Sequence, residues 1–398
     1  RDKGETYQIT YDLEALNDGL CTVEVYYSLD GGNFAEDNKV NDLRGEVVNV
    51  RPGKNKKMIW DPSSDLMISS KIYLKLSPVD AKARGGAGVS KSFNIDNSLL
   101  EVKLMPEIWP REGHGHMCLN GKMYIIGGWA GSPNYYNDVT IVECDPESGS
   151  SEVEISQNHY ASVRYSYSGA VYDDKMWIMG GFFNKSKNDV WYSSDGTTWV
   201  EITKNETESV KFGVRDSHAS VVFDDGFGRK LFVIGGFSSG YKNDVWCSVT
   251  GAQWTCITGE TSFSPRVGHG AAVFDNNIYL IGGYDGEKYK NDVWRSPDGI
   301  RWEQVLEKAP FERRRGHAVI VFKDRIWLIG GYGENEKYYN DIWCSSDGLN
   351  WRQVKAVTPE NAGFTPRRGH SAVVYKDKLW IFGGYDGTNY KGDLWRTR

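Results

Sequence analysis

Four sets of residues have the types and spacing to do chemistry. Gly236-Phe-Ser238-Ser-Gly240 fits the G-x-S-x-G pattern of serine hydrolases. That motif works only on a strand–turn–helix elbow, and no helical periodicity follows it, so the match is read as chance. His114 and His116 fall on one face of a strand, but no third residue has ligand spacing, and no metal or other cofactor is expected. Cys247 and Cys256 flank a hairpin turning at Gly251-Ala252. Facing each other across it, they would form a disulfide and point to an oxidising compartment.

The fourth set is the largest. Arg111, Arg164, Arg215, Arg266, Arg314 and Arg367 recur 48 to 53 residues apart. Each introduces a short apolar run, then a glycine pair, then Asn-Asp (Gly-Asp in the last unit). The glycine pairs are Gly127-Gly128, Gly180-Gly181, Gly235-Gly236, Gly282-Gly283, Gly330-Gly331 and Gly383-Gly384. Guanidinium groups grip carboxylates bidentately, and the aromatic residues after each glycine pair, Trp129 and Phe182 among them, can stack on planar or apolar ligands. Departures from the pattern stand out against it. Tyr167 replaces the histidine of the other units (His114, His218, His269, His317, His370). Glu112 and Asp216 follow their arginines where the last two units have Arg315 and Arg368. A carboxylate there reads either as a general base facing an arginine cluster or as a neutralising ion pair.

The elements that must position these groups are strands. Gly is 45 of 398 residues, Trp 15 and Tyr 23, which suits many short strands and tight turns, and little helix is expected. Self-similarity at this period marks a repeat architecture. The run after each histidine should lie buried between neighbouring units. Trp191, Trp246, Trp294, Trp343 and Trp395 should pack unit on unit.

The glycine doublet, spaced aromatics and a tryptophan on the last strand together resemble Kelch repeats, over about three-quarters of the chain. The resemblance implies an all-β, six-bladed propeller over residues 98–398, with four-stranded blades around a central channel. The last unit stops at Trp395-Arg-Thr-Arg398 without a fourth strand, and residues 99–105 are an unclaimed strand that should supply it and close the ring. Ser193–Trp199, Ser296–Trp302 and Ser345–Trp351 resemble the Asp-boxes of sialidases, one residue short, and are read as structural turns. Residues 1–97 hold strand candidates at residues 6–16, 21–28, 46–50, 57–60, 71–76 and 92–95. They look like an immunoglobulin- or fibronectin-type β-sandwich without its Cys–Trp–Cys signature.

In a four-stranded blade, the entry to strand one and the loop between strands two and three share a face. The candidate ligand site is therefore that mouth, with Arg111, Arg164, Tyr167, Arg215, Asp216, Arg266, Arg314, Arg367, Trp129 and Phe182. The competing reading is architectural, since a residue present in every blade can simply hold the blades. Net charge is −6 with no Lys/Arg-rich block, so nucleic acid is set aside. No apolar run is long enough to span a bilayer as a helix.

The expected function is a non-catalytic, monomeric binding protein of the secreted bacterial type, periplasmic or displayed at the cell surface, whose partner is a glycan or an extracellular protein. The chain begins Arg1-Asp2-Lys3, consistent with removal of a signal segment or with truncation. The alternative is an enzyme similar to the six-bladed sialic-acid mutarotases or epimerases. The seven-bladed copper galactose oxidases are set aside on blade count.

Overall fold

A computed structural model describes residues 108–144, 151–156, 163–202, 212–354 and 364–397. Seven strands are described by their backbone before residue 108. The chain divides into two compact units, the second built from Leu99–Val354 and Ala362–Arg398.

In the first unit, Tyr7–Leu13, Gly53–Trp60 and Leu43–Gly45 pair as one antiparallel sheet. Val23–Ser28, Ser70–Pro78 and Phe93–Ile95 pair as another. The expected sandwich over residues 1–97 turns on side-chain packing that lies outside the described residues, as does the strand expected at 46–50.

The second unit is an all-β propeller of six blades. In blade 4 the strands are Gly270–Phe274, Asn277–Tyr284, Tyr289–Ser296 and Glu303–Leu306, joined as a simple antiparallel meander. The innermost strands of the other blades are Gly115–Leu119, Ser168–Tyr172, Ala219–Asp224, Ala318–Phe322 and Ser371–Tyr375. They contact one another in a cycle that returns from blade 6 to blade 1. Blade 6 takes its outer strand from Leu99–Val102, in the register Leu394↔Val102 to Thr397↔Leu99. That strand is the front part of the 99–105 segment expected to close the ring.

The core sits on the second strand of each blade. Met176–Met179, Leu231–Ile234, Ile278–Ile281 and Ile326–Ile329 are almost wholly buried, because both faces of this strand meet neighbouring blades. The innermost strand was expected to be the doubly buried one. It is only partly covered, because it flanks the channel. Two-residue turns join strands one and two at Asp173-Asp174, Asp275-Asn276, Lys323-Asp324 and Lys376-Asp377, with both residues at positive φ as a type I′ turn requires. Among the described residues the one helical element is a 3-10 turn at Glu334–Glu336, and no helix is long and apolar enough to cross a membrane.

The Asp-box-like segments are stapled turns. The Ser193 hydroxyl accepts from the Gly196 N–H, Asp195 Oδ1 accepts from the N–H groups of Thr197 and Thr198, and the Trp199 indole donates back to the Gly196 carbonyl. The same bonds recur at Ser296–Trp302 and Ser345–Trp351. In blade 3 the register of this hairpin contradicts the expected disulfide. Cys247 lies opposite Thr255 and Cys256 opposite Trp246, so the thiols project to opposite faces. Both are free, Cys247 packed against the blade core and Cys256 exposed. They therefore say nothing of an oxidising compartment.

Candidate functional site

The six arginine anchors are at most 2% exposed. Each reaches along its own blade to the aspartate of the Asn-Asp or Gly-Asp pair. Arg111 donates to Asp138 at 2.7 and 2.9 Å, and also to the Gly127 carbonyl at 2.8 Å. Arg164–Asp189, Arg215–Asp244, Arg266–Asp292, Arg314–Asp341 and Arg367–Asp393 repeat the bidentate geometry. In blades 2 to 6 the third-strand tryptophan donates its indole N–H to the same aspartate. Burial alone would raise the carboxyls of Asp189, Asp244 and Asp393, but the arginine bonds and charge outweigh it and hold them below the usual range.

The sequence therefore pointed to the mouth for Arg111, Arg164, Arg215, Arg266, Arg314 and Arg367, and the structure places them elsewhere. Their charge is already satisfied inside the blade, where a ligand would have to break a buried pair to reach them. Their backbones do the stitching between blades. The Gly128 N–H donates to the Arg164 carbonyl, Gly181 to Arg215, Gly236 to Arg266, Gly331 to Arg367 and Gly384 to Arg111.

Two residues after each anchor, the chain lines the channel at positive φ: Gly113, Ser166, Ser217, Gly268, Gly316 and Gly369. Their amides form a closed ring. Gly113 donates to Gly369, Gly369 to Gly316, Gly316 to Gly268, Gly268 to Ser217, Ser217 to Ser166, and Ser166 to Gly113, all at 2.7–2.9 Å. Every N–H in this ring is committed, so these six amides are not free to hold an anion.

The next residue in each blade locks it to the one before. The Tyr167 hydroxyl donates to the Ile126 carbonyl of blade 1 and accepts from the Gly115 N–H. His218, His269, His317 and His370 face the corresponding carbonyls of Met179, Ile234, Ile281 and Ile329, without a full hydrogen bond to either ring nitrogen. Burial, helped by the nearby arginine, brings the pKa of these four rings to about 3, and they are neutral at physiological pH. His114 is pushed well below its usual range for the same reason and meets the Ser371 hydroxyl at 2.6 Å. The His116 ring shares that hydroxyl, so the pair is engaged within the ring. No cluster of three metal-ligating side chains occurs among the described residues.

The residue directly after each anchor varies: Glu112, Tyr165, Asp216, Val267, Arg315 and Arg368, of which Glu112 and Val267 are buried and the other four half-buried. Each, or its next neighbour, rims a cavity of about 350 Å³ floored by the histidine belt. The frame holds these positions rigidly, because each bonds by backbone to the residue after its own glycine pair: Glu112 with Trp129, Tyr165 with Phe182, Asp216 with Phe237, Arg368 with Tyr385. Glu112 pairs with Arg368 at 3.2 Å across the seam between blades 1 and 6. Burial raises its carboxyl more than the Arg368 pairing lowers it. Arg315 has no hydrogen-bonded acid among the described residues. Its guanidinium sits over the rings of Tyr284, Tyr289 and Tyr332, at 5.3, 5.8 and 6.0 Å.

Around this opening runs a collar of aromatic rings. Phe237 touches Tyr241, then Tyr284, Tyr289, Tyr332, Tyr338, Tyr385, Tyr390 and Trp129 in turn, each centroid separation being 4.8–6.0 Å. Trp129 stacks on Tyr165 at 5.3 Å, and Tyr135 carries the collar on to Phe183. Of the residues expected at the mouth, Trp129 and Tyr167 line the cavity, Tyr167 as an interblade lock. Phe182 packs edge-on against Tyr165, and Asp216 is not among the cavity-lining residues but accepts from the Ser186 hydroxyl beside it. Sequence reasoning underrated Tyr165, Arg315 and Arg368. Their signal was present, since they vary directly after an arginine that does not.

A family model described as the KLHDC2/KLHL20/DRC7 Kelch-repeats domain matches residues 196–356 and 297–398, together just over half of the chain. A Kelch-motif model matches residues 110–143. Human host cell factor 1 is 26% identical over 218 residues, covering 46% of this chain and 10% of that protein. Human host cell factor 2 is 24% identical over 222 residues, 45% of this chain and 27% of that protein. Tip elongation aberrant protein 1 of Schizosaccharomyces pombe is 30% identical over 210 residues, 50% of this chain and 18% of that protein. The matches thus span about a quarter or less of each relative. All three are eukaryotic proteins, whereas the sequence reading set the chain among bacterial ones.

Proposed function

The chain belongs to the Kelch-repeat family, and from that premise we propose that its propeller is a protein-binding module that takes a polypeptide segment into the mouth. The observation that carries this reading is Arg315. A guanidinium held on three tyrosine faces with no hydrogen-bonded acid among the described residues is oriented in advance for a carboxylate or carbonyl acceptor. The collar supplies apolar area from rings already packed on one another, so little side-chain freedom is lost on binding. The throat donors are committed to one another, which leaves recognition to the six variable side chains. The test is peptide selection from a random display library on the full chain, repeated with Arg315→Ala. Selected peptides should lose at least about tenfold in affinity for the variant, as for truncation of a charged hot spot. Equal binding would overturn the proposal.

A second reading is an acidic sugar. Trp129 stacked on Tyr165 is a planar platform, Arg315 and Arg368 suit a carboxylate, and Glu112 has a raised carboxyl beside them. A glycan array that includes N-acetylneuraminate, followed by an anomer-exchange assay on any hit, separates a lectin from a mutarotase and both from a peptide binder.

A further inference from the structure

Asp216 occupies the same register position as Glu112 but has a different fate. Glu112 has Arg368; Asp216 has no cation among the described residues. Its Oδ2 accepts from the Ser186 hydroxyl at 2.7 Å and its Oδ1 from the Ser217 hydroxyl at 3.0 Å. The adjacent Arg215 is committed to Asp244. Two hydroxyls orient a carboxylate but bring no positive charge, and burial leaves its pKa raised.

The place matters as much as the charge. The aromatic collar runs unbroken from Phe237 through blades 4, 5, 6 and 1 to Phe183 in blade 2. No ring contact joins Phe182 or Phe183 to Phe237 among the described residues. The one break in the collar among the described residues therefore falls between blades 2 and 3, where Ser186 of blade 2 donates to Asp216 of blade 3. Phe237, 38% exposed, stands on its far side.

We propose that a segment bound in the mouth leaves through this break and carries a lysine or arginine there, whose charge Asp216 takes. The ligand is then dipolar, with an acceptor group on Arg315 and a cation at Asp216. This rests on the peptide-binding reading above and adds its second specificity element.

The test uses the full chain and the same random-peptide library. Wild-type protein should enrich Lys or Arg at one position. Asp216→Asn keeps an acceptor for Ser186 but removes the charge, and should abolish that enrichment. A selected Lys-bearing peptide should bind Asp216→Asn about tenfold more weakly than wild type, and its Lys→Gln form should bind both alike. Asp216→Lys should instead enrich Asp or Glu at that position. Peptides that depend on Arg315 but show no basic preference, or one that survives Asp216→Asn, would overturn this inference and leave the proposed function standing. An absence of any bound peptide would overturn both. An unchanged thermal midpoint in Asp216→Asn separates lost recognition from lost folding.

Discussion

Arg314 and Arg315 are neighbours in the chain and opposites in the structure. Arg314 is buried, bonded twice to Asp341 and once to the Gly330 carbonyl, and repeated in every blade. Arg315 is half-buried and has no acid bonded to it among the described residues, whereas Arg368, the other arginine among the six equivalent positions, pairs with Glu112. Carboxylates divide in the same way. Frame aspartates such as Asp189 and Asp393 are held below the usual range, whereas the mouth carboxyls Glu112 and Asp216 are raised. A one-residue step thus separates groups whose charge builds the blade from groups set at the mouth. What recurs in this propeller holds it together, and what varies is available to a partner.

The frame should show its largest response to acid. In the unfolded chain the histidines take protons below about pH 6.5, while His218, His269, His317 and His370 stay neutral in the fold down to about 3. Stability from these four is therefore complete above about pH 6.5 and lost as pH falls through that window. Each contributes about 1.4 kcal/mol per pH unit. Urea midpoints measured from pH 7 to 4 should drop steeply, before the frame aspartates take protons. A flat profile would mean that the histidine belt is protonated in the fold.

Breaking a single frame pair comes next. Arg314→Ala removes a fully buried guanidinium and leaves half-buried Asp341 without its cation, and should cost about 2–4 kcal/mol in denaturant unfolding. Tyr167→Phe should cost less, about 1–3 kcal/mol, because it leaves the Ile126 carbonyl and the Gly115 N–H short of a partner without opening a cavity. Gly181→Ala belongs with these frame variants. Gly181 sits at φ +97, and an added Cβ would lie 2.7 Å from Cβ of Tyr167, so the blade 1–2 seam would have to shift.

The smallest stability effects should come from the mouth. Arg315→Ala and Asp216→Asn are each expected to stay within about 0.5 kcal/mol of wild type. NMR titration of the carboxyls sharpens the same contrast. Glu112 and Asp216 should titrate above the ordinary range for their types, and Asp189, Asp244 and Asp393 below it.

Most of the frame was legible in the sequence because period and physical role coincide. Gly-Gly, Asn-Asp and, in blades 2 to 6, the third-strand tryptophan recur in the same order at similar spacing, and each does the same job in the structure. Ring closure could be read from one missing strand and one spare one. The site was less legible for a related reason. The conspicuous arginines are conspicuous because they are architectural, and no pattern in the chain says which way a guanidinium points. Pairing Arg with Asp 25 to 29 residues later required the blade's own geometry. The disulfide failed on register. A single-residue offset in the blade 3 hairpin turns Cys256 away from Cys247, and turn residues alone do not reveal that offset. Tyr167 looked like a departure and is one in chemistry only, since its hydroxyl reaches the blade 1 carbonyl equivalent to those the histidines face.

The most direct test is one experiment on two adjacent residues. The full chain, Arg314→Ala and Arg315→Ala would be compared by urea unfolding and by binding to a peptide selected on wild type. The separation of frame from mouth predicts that Arg315→Ala unfolds with wild-type stability and loses binding. Arg314→Ala should lose several kcal/mol of stability, yet bind normally wherever it remains folded. A destabilised Arg315→Ala, or a folded Arg314→Ala that no longer binds, would contradict it.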